Sequence, residues 1–165
     1  METSSVRILV VDDYEPFRRF FCSTLGRKGD LQLIGEALDG LEAVQKAKEV
    51  QPDIVELDLG LPTLNGIEAA RRIRKVSPKS KIVFVTLESS ADVVQEAFSL
   101  GALGYVIKTR AGRELLAAVE AVRQGRQFIS SGLSGLPLPI LLNRKAPTIS
   151  TTRRLSHRLH REKGR

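Results

Sequence analysis

The chain has 165 residues, of which 42% are hydrophobic and 27% charged, and this fits one globular domain with a short appendage better than two domains or a disordered chain. Its longest apolar runs are too short to cross a bilayer and its N-terminus lacks the apolar core of a secretory signal, so we expect a cytoplasmic protein. The net charge of +7 lies in the last part of the chain, because residues 1–132 hold 18 basic and 18 acidic residues and residues 133–165 hold 8 and 1.

Short apolar runs alternate with amphipathic ones along most of the chain, which is typical of a parallel sheet packed between helices. The first run, Val6 to Val11, ends in Asp12 and Asp13 and leads into a predicted helix. Leu31 to Glu36 forms the second predicted strand, and Asp39 can cap the helix that follows it. The chain therefore begins with two strand-helix units.

Three further units of the same kind follow. Their predicted strands are Ile54 to Leu57, Lys81 to Thr86 and Gly104 to Ile107. Each precedes a helical pattern, the last running from Arg113 to about Gln124, and the pattern stops after Gly125. Because the strands are almost wholly apolar, both their faces are expected to be buried, and we predict an α/β fold with a doubly wound parallel sheet of five strands.

Polar side chains stand at the carboxyl ends of the predicted strands, where ligands bind in such sheets. They are Asp12, Asp13, Asp58, Thr86 and Lys108. Three carboxylates at one place repel one another unless a cation offsets their charge, and oxygen ligands with room for water suit Mg²⁺. Phosphoryl transfer needs such a cation with a carboxylate, a hydroxyl and an ammonium group. The pattern predicts Asp58 as the nucleophile, with Lys108 and Thr86 bonding phosphoryl oxygens.

Each of these residues also has a plainer explanation. Asp12 or Asp13 could cap the first helix, Asp58 could start a turn, and Lys108 could be a solvated surface lysine. Each plain explanation is the better one for a residue taken alone. Together they lose force, since all five polar residues fall at strand ends on the same edge, and a shared site explains them with one cause.

The chain resembles the receiver domain of bacterial two-component response regulators over about residues 6 to 128. The resemblance is carried by the VDD sequence at Val11 to Asp13, by PDIVELDLGLPTLNG from Pro52 to Gly66, by Thr86, and by GYVIK from Gly104 to Lys108. It implies a flavodoxin-like (CheY-like) fold with strand order 2-1-3-4-5. The residues 129–165 are then a basic C-terminal tail.

The resemblance also implies roles for the residues of the site. Asp58 would be the phosphoacceptor and a sensor histidine kinase or phosphotransfer protein the donor. Asp13, Asp58 and the Gly60 carbonyl would contact Mg²⁺, with Asp12 assisting. Thr86 would move toward the phosphoryl group while Tyr105 turns inward, reshaping the face of the fourth helix, fifth strand and fifth helix, which could also form a homodimer. An ordinary half-buried strand aromatic is the other interpretation of Tyr105.

Two features depart from the family pattern. Glu56 stands where a buried strand normally carries an aliphatic residue, so we expect it to be solvated near the strand end or matched by a basic side chain. Thr109 follows Lys108 where many receivers have proline, so no cis-proline bend is expected, and the Lys-Thr step resembles the LuxR-type transcription-factor branch. That branch usually ends in a DNA-binding helix-turn-helix, yet residues 129–165 show no two-helix apolar pattern.

Three function classes remain open on these patterns. The favoured one is a phosphorylation-dependent interaction switch in a phosphorelay that is not itself an enzyme, apart from slow self-dephosphorylation. The second is a Mg²⁺-dependent phosphohydrolase, which typically has an acid-base Asp two residues after its nucleophile, where this chain has Gly60. The third is a nucleic-acid-associated transcriptional regulator that acts through the basic tail or through an output domain that the sequence does not show.

Overall fold

The computed structural model describes residues 5–133, which form a parallel β-sheet with helices on both faces. The strands lie in the order β2-β1-β3-β4-β5-β6, and every neighbouring pair is parallel. The flavodoxin-like prediction, with order 2-1-3-4-5 for its five strands, is confirmed. The elements are β1 (Val6–Val11), α1 (Glu15–Gly26), β2 (Leu31–Ala37), α2 (Gly40–Val50), β3 (Ile54–Leu57), α3 (Gly66–Val76), β4 (Lys81–Thr86), α4 (Ala91–Ser99), β5 (Gly104–Ile107), α5 (Ala111–Arg123) and β6 (Phe128–Ile129).

The helices begin and end at residues whose side chains or backbone favour those positions. The side chain of Asp39 accepts a hydrogen bond from the backbone N–H of Glu42 at 2.8 Å and so caps α2. Asn65 caps α3 in the same way through the N–H of Glu68. Gly101 has a φ of 111°, which a side chain would disfavour, and it turns the chain from α4 toward β5.

One face of the sheet packs against α1 and α5. The buried residues of this layer include Phe21 and Leu25 from α1, Leu115 and Val119 from α5, and alternate residues of the central strands, which are Ile8, Val10, Ile54, Val83, Val85 and Val106. Burial of this many large apolar side chains is the main contribution to the stability of the domain. It also fixes α1 and α5 against this face of the sheet.

The chain after α5 differs from the prediction. Instead of leaving the sheet, it turns at Gly125 and adds β6 beside β5 as a short sixth strand. Ser130 and Leu133 beyond it are buried, and the Glu114 carboxylate of α5 accepts hydrogen bonds from Ser130 and Ser131. Packing thus continues past the predicted boundary at residue 128. The predictions for the tail from 134 onward, including the missing helix-turn-helix, lie outside the described residues.

Within residues 5–133, no helix combines the length and the apolar character that a bilayer crossing requires.

Candidate functional site

Three carboxylates meet beyond the carboxyl ends of β1 and β3. One oxygen from each of Asp12, Asp13 and Asp58 lies within 4.8 Å of the others, with Asp12 and Asp58 buried and Asp13 exposed. The backbone N–H of Tyr14 donates to Asp12 Oδ1 at 2.9 Å, which orients that carboxylate at the end of β1. The structure therefore brings together the acidic residues that the sequence pattern singled out.

Lys108 joins the two buried carboxylates of this cluster. Its Nζ lies 2.8 Å from Asp12 Oδ2 and 3.0 Å from Asp58 Oδ2, and its side chain is 5% exposed. Burial by itself would lower the pKa of the Lys108 ammonium, but its hydrogen bonds and ion pairs with Asp12 and Asp58 outweigh burial and raise the pKa. Lys108 is therefore a fixed cation of the site and not a solvated surface lysine.

The cluster carries more negative than positive charge. The cluster holds three carboxylates, and the one ammonium of Lys108 contacts two of them, which leaves two of the three negative charges uncompensated by it. Burial raises the pKa of the Asp12 carboxyl, the neighbouring Asp58 adds to the rise, and the bonds from Lys108 and Tyr14 only partly oppose it. This surplus of oxygen ligands and negative charge suits a hard divalent cation.

Thr86 and Tyr105 converge on the backbone of Glu88, in the loop between β4 and α4. Thr86 Oγ1 accepts a hydrogen bond from the Glu88 N–H at 3.2 Å, and the Tyr105 hydroxyl donates to the Glu88 carbonyl at 2.8 Å. Tyr105 is fully buried and packs against the rings of Phe84 and Phe98, so it is not the half-buried strand aromatic considered from the sequence. Burial raises its pKa.

An open cavity of about 620 Å³ adjoins the cluster on the side of α3 and α4. Asp58, Gly60, Thr86 and Lys108 line its inner end. The Gly60 N–H donates a long hydrogen bond of 3.4 Å to Asp58 Oδ1, and Gly60 itself is exposed. The cavity gives a phosphoryl-sized group access to the Asp58 carboxylate from solvent.

Glu56 lies on β3 below this site, and both predictions for it are wrong. It is fully buried, opposite Val10 and Val83 on the neighbouring strands, and neither carboxylate oxygen has a hydrogen-bond partner among residues 5–133. Burial, followed by the charge of Asp12, raises its pKa well above the usual range. A charged side chain at this position is therefore neither solvated nor paired.

Sequence reasoning missed two residues that contact the site from α1. Phe17 places its ring beneath Lys108, with Nζ 4.5 Å from the ring centroid. Arg18 donates to the backbone carbonyl of Asp12 at 3.0 Å and to Glu36 at 2.9 Å. No sequence signal marks Arg18. For Phe17 the available signal is its position, because it lies five residues after Asp12 at the start of the helix that follows the site.

A family profile and individual relatives both match this chain to response regulators. The family profile described as "Response regulator receiver domain" matches residues 8–120. The transcriptional regulatory protein LiaR of Bacillus subtilis is 34% identical over 130 residues, which cover 79% of this chain and 62% of LiaR. The chain thus spans about three fifths of the length of this relative.

Solved structures of receivers have the same fold. A two-component response regulator of the LuxR family from Aurantimonas sp. is 36% identical, with a TM-score of 0.75 over 79% of this chain and 94% of that chain. The response regulator domain of Thermotoga maritima CheB is 31% identical, with a TM-score of 0.68 over 73% of this chain and 97% of that domain.

Proposed function

The chain belongs to the response regulator receiver family, and from that premise we propose that it is a phosphorylation-dependent switch in which Asp58 accepts a phosphoryl group from a sensor histidine kinase or phosphotransfer protein. Phosphorylation and Mg²⁺ are general features of this family. An oxygen of Asp58 attacks phosphorus and forms a mixed anhydride, while the bond from phosphorus to the donor breaks and its electron pair leaves with the donor.

The observation that carries this proposal is the placement of Asp58. Its Oδ2 is held by Lys108 at 3.0 Å, whereas within residues 5–133 its Oδ1 accepts only the long bond from Gly60, and the residue lines the cavity. A carboxylate with one anchored oxygen and one nearly free oxygen is positioned to act as a nucleophile. Lys108 is close enough to neutralise a phosphoryl oxygen once the group is attached.

The acidic cluster fits the Mg²⁺ that the family implies. Asp12, Asp13 and Asp58 supply carboxylate oxygens near one another, two of these carboxylates are buried, and the ammonium of Lys108 balances only part of their charge. Asp13, Asp58 and the Gly60 carbonyl would hold the ion, with Asp12 assisting. When bound, Mg²⁺ supplies charge neutralisation for the oxygens around the transferred group.

Thr86 and Tyr105 are proposed to transmit the modification. Asp58 and Thr86 both line the cavity. A phosphoryl group on Asp58 would therefore offer the Thr86 hydroxyl a charged hydrogen-bond acceptor. Because Thr86 and Tyr105 both bond Glu88, a change at Thr86 alters the loop that holds the Tyr105 hydroxyl. The proposed output is a changed interaction face at α4, β5 and α5, where β6 now covers the edge of β5.

The proposal makes the protein a switch and not a phosphohydrolase. The position two residues after Asp58, where such enzymes typically carry an acid-base carboxylate, is Gly60. Without that acid-base group, the acyl phosphate is expected to be lost only slowly. A homodimer through the α4, β5 and α5 face, and any contact with nucleic acid, stay predictions.

The test is the intact mass of the protein after incubation with acetyl phosphate, with and without Mg²⁺. We expect one phosphoryl adduct that requires Mg²⁺, that is absent from Asp58→Asn, and that persists in Asp92→Asn, which changes an exposed carboxylate on α4. An adduct that survives in Asp58→Asn would place the modification elsewhere. The lack of any adduct would indicate a receiver that acts through its fold without phosphorylation.

A further inference from the structure

The aromatic ring of Phe17 lies directly against the cation of the site. Lys108 Nζ stands over the ring at 4.5 Å from its centroid, within the range in which a ring face attracts an ammonium group. We infer that Phe17 is a positioning residue for phosphoryl transfer, which holds the Lys108 ammonium in place through a cation-π contact. This inference rests on the proposed function of Asp58 and Lys108.

The ammonium is enclosed on three sides. Asp12 Oδ2 and Asp58 Oδ2 take two of them at 2.8 and 3.0 Å, and the Phe17 ring takes the third. The Lys108 side chain is 5% exposed, so little water competes with these neighbours. Removal of water strengthens the attraction between a cation and a ring face, which is weak at exposed positions.

Phe17 is itself held in place by its neighbours on α1. Its ring stacks on Phe21 with a centroid distance of 5.7 Å and an angle of 15° between the planes, and it contacts Tyr14 at 5.5 Å. Phe21 is fully buried in the core. Arg18, the next residue, ties α1 to the backbone carbonyl of Asp12. The ring is therefore fixed relative to the carboxyl end of β1.

The ring differs from the carboxylates in what it does during the reaction. The attraction of Asp12 and Asp58 for the ammonium changes when their charge is shared with another cation or when Asp58 forms a new covalent bond. The Phe17 ring attracts it in every state of the site, because its quadrupole does not titrate or bond. It can thus keep Lys108 at the inner end of the cavity while the charge on Asp58 changes. An aliphatic side chain would fill the same space without this attraction.

The experiment replaces Phe17 by phenylalanines with one, two and three ring fluorines, which withdraw electrons from the ring face while changing its volume little. The measured quantity is the rate at which the phosphoryl adduct forms from acetyl phosphate, at saturating concentrations of Mg²⁺ and of acetyl phosphate. We expect the rate to fall stepwise along the series, by about three- to tenfold in total. The same substitutions at Phe20, which is 44% exposed and packs edge-on against Phe21, are the control and should leave the rate unchanged.

A second variant separates attraction from packing. Phe17→Leu should slow labelling at least as much as the most fluorinated ring, with circular dichroism showing that both proteins are folded. A flat rate along the fluorine series would overturn the inference even if Phe17→Leu is slow, because the ring would then matter only as a space-filling group. If the unmodified protein gains no Mg²⁺-dependent adduct at Asp58, the proposed function fails, and the inference fails with it for that distinct reason.

Discussion

The two ends of the parallel sheet differ in how well their polar groups are paired. At the amino end, the Arg7 guanidinium donates to the carbonyls of Val50 and Gln51 at the end of α2, and its backbone N–H donates to Asp53. Nearby, the buried hydroxyl of Ser80 bonds both the Ser77 hydroxyl and the Pro52 carbonyl. These polar groups all have hydrogen-bond partners, which buried polar groups need for stability.

The carboxyl end carries a surplus of negative charge instead. Three carboxylates lie together, only two of them contact the buried ammonium of Lys108, and Glu56 adds a buried carboxyl without a partner among residues 5–133. Buried charge without compensation destabilises a fold, so the residues at this end do not maximise the stability of the domain. The contrast teaches that the polar groups of the amino end stabilise the domain, whereas those of the carboxyl end reduce its stability, as the proposed binding of a cation and a phosphoryl group would require.

Removing Lys108 should break this comparison most strongly. In Lys108→Met, the buried carboxylates of Asp12 and Asp58 lose their shared cation and face each other as like charges. We expect the free energy of unfolding to fall by about 3 kcal/mol without Mg²⁺. Urea unfolding followed by circular dichroism measures it, and added Mg²⁺ should recover part of the loss because a divalent cation compensates the same carboxylates.

Lys75→Met, which changes an exposed lysine on α3, is the matched control and should alter stability by no more than about 0.5 kcal/mol. Asp58→Asn introduced into Lys108→Met should restore stability, because one uncompensated carboxylate disappears. If Lys108→Met unfolds at the same urea concentration as the unmodified protein, the ammonium is not needed to balance the site, and the contrast between the two ends is wrong.

Glu56 gives the second test, in the opposite direction. Glu56→Leu removes a buried carboxyl that has no partner in the described part of the chain and should raise the free energy of unfolding by about 2 kcal/mol at neutral pH. The pKa of Glu56 is raised in the folded state, so the folded protein favours the protonated form. The cost of Glu56 is then absent below the ordinary pKa of 4.5 and grows as the pH rises from there toward the folded pKa.

Glu56→Gln tests that pH dependence without a change in shape. Its stability relative to the unmodified protein should increase as the pH rises above the ordinary carboxyl pKa of 4.5 through the neutral range, as read from urea midpoints at each pH. Glu49→Gln, at an exposed residue of α2, should show no such trend. A constant difference across this range would mean that the Glu56 carboxyl is solvated or paired in solution.

Much of the fold could be predicted because its signals are local. The strands Val6–Val11, Ile54–Leu57, Lys81–Thr86 and Gly104–Ile107 match their predicted bounds, since each is an apolar run with polar or turn residues at its ends. β6 was missed because two residues carry no periodicity, and their pairing with β5 depends on the path of the chain after α5. α5 begins at Ala111 because the short 3-10 helix at Lys108–Arg110 runs directly into it.

Part of the site could likewise be predicted from the sequence, whereas the rest depends on how the helices pack on the sheet. Asp12, Asp13, Asp58 and Lys108 could be placed together because carboxyl ends of parallel strands converge at one edge. The ring of Phe17 below Lys108 could not, since it depends on the rotation of α1 against the sheet. The unusual charge of Glu56 was visible in the sequence, but its complete burial and its lack of a partner among residues 5–133 depend on how the helices pack on the sheet.

A pair of hydroxyls sharpens the comparison with a smaller effect. Ser80 at the amino end and Thr86 at the carboxyl end are each 3% exposed, so their burial is matched. Ser80→Ala leaves the Pro52 carbonyl and the Ser77 hydroxyl without this partner and should lower the free energy of unfolding by about 1 kcal/mol. Phosphorylation of Asp58 should proceed as before, because the change lies at the opposite end of the sheet.

Thr86→Val should have the opposite pair of effects, with a small change in stability and a large change in the response to phosphorylation. The methyl group keeps the volume, and the lost hydroxyl only accepts a hydrogen bond of 3.2 Å from Glu88, so stability should change by less than in Ser80→Ala. The response should be lost instead: backbone amide NMR shifts of Glu88 and Tyr105 should move on phosphorylation in the unmodified protein and in Ser80→Ala, but much less in Thr86→Val. Equal losses of stability and equal NMR responses in the two variants would show that the ends of the sheet do not divide stability and signalling between them.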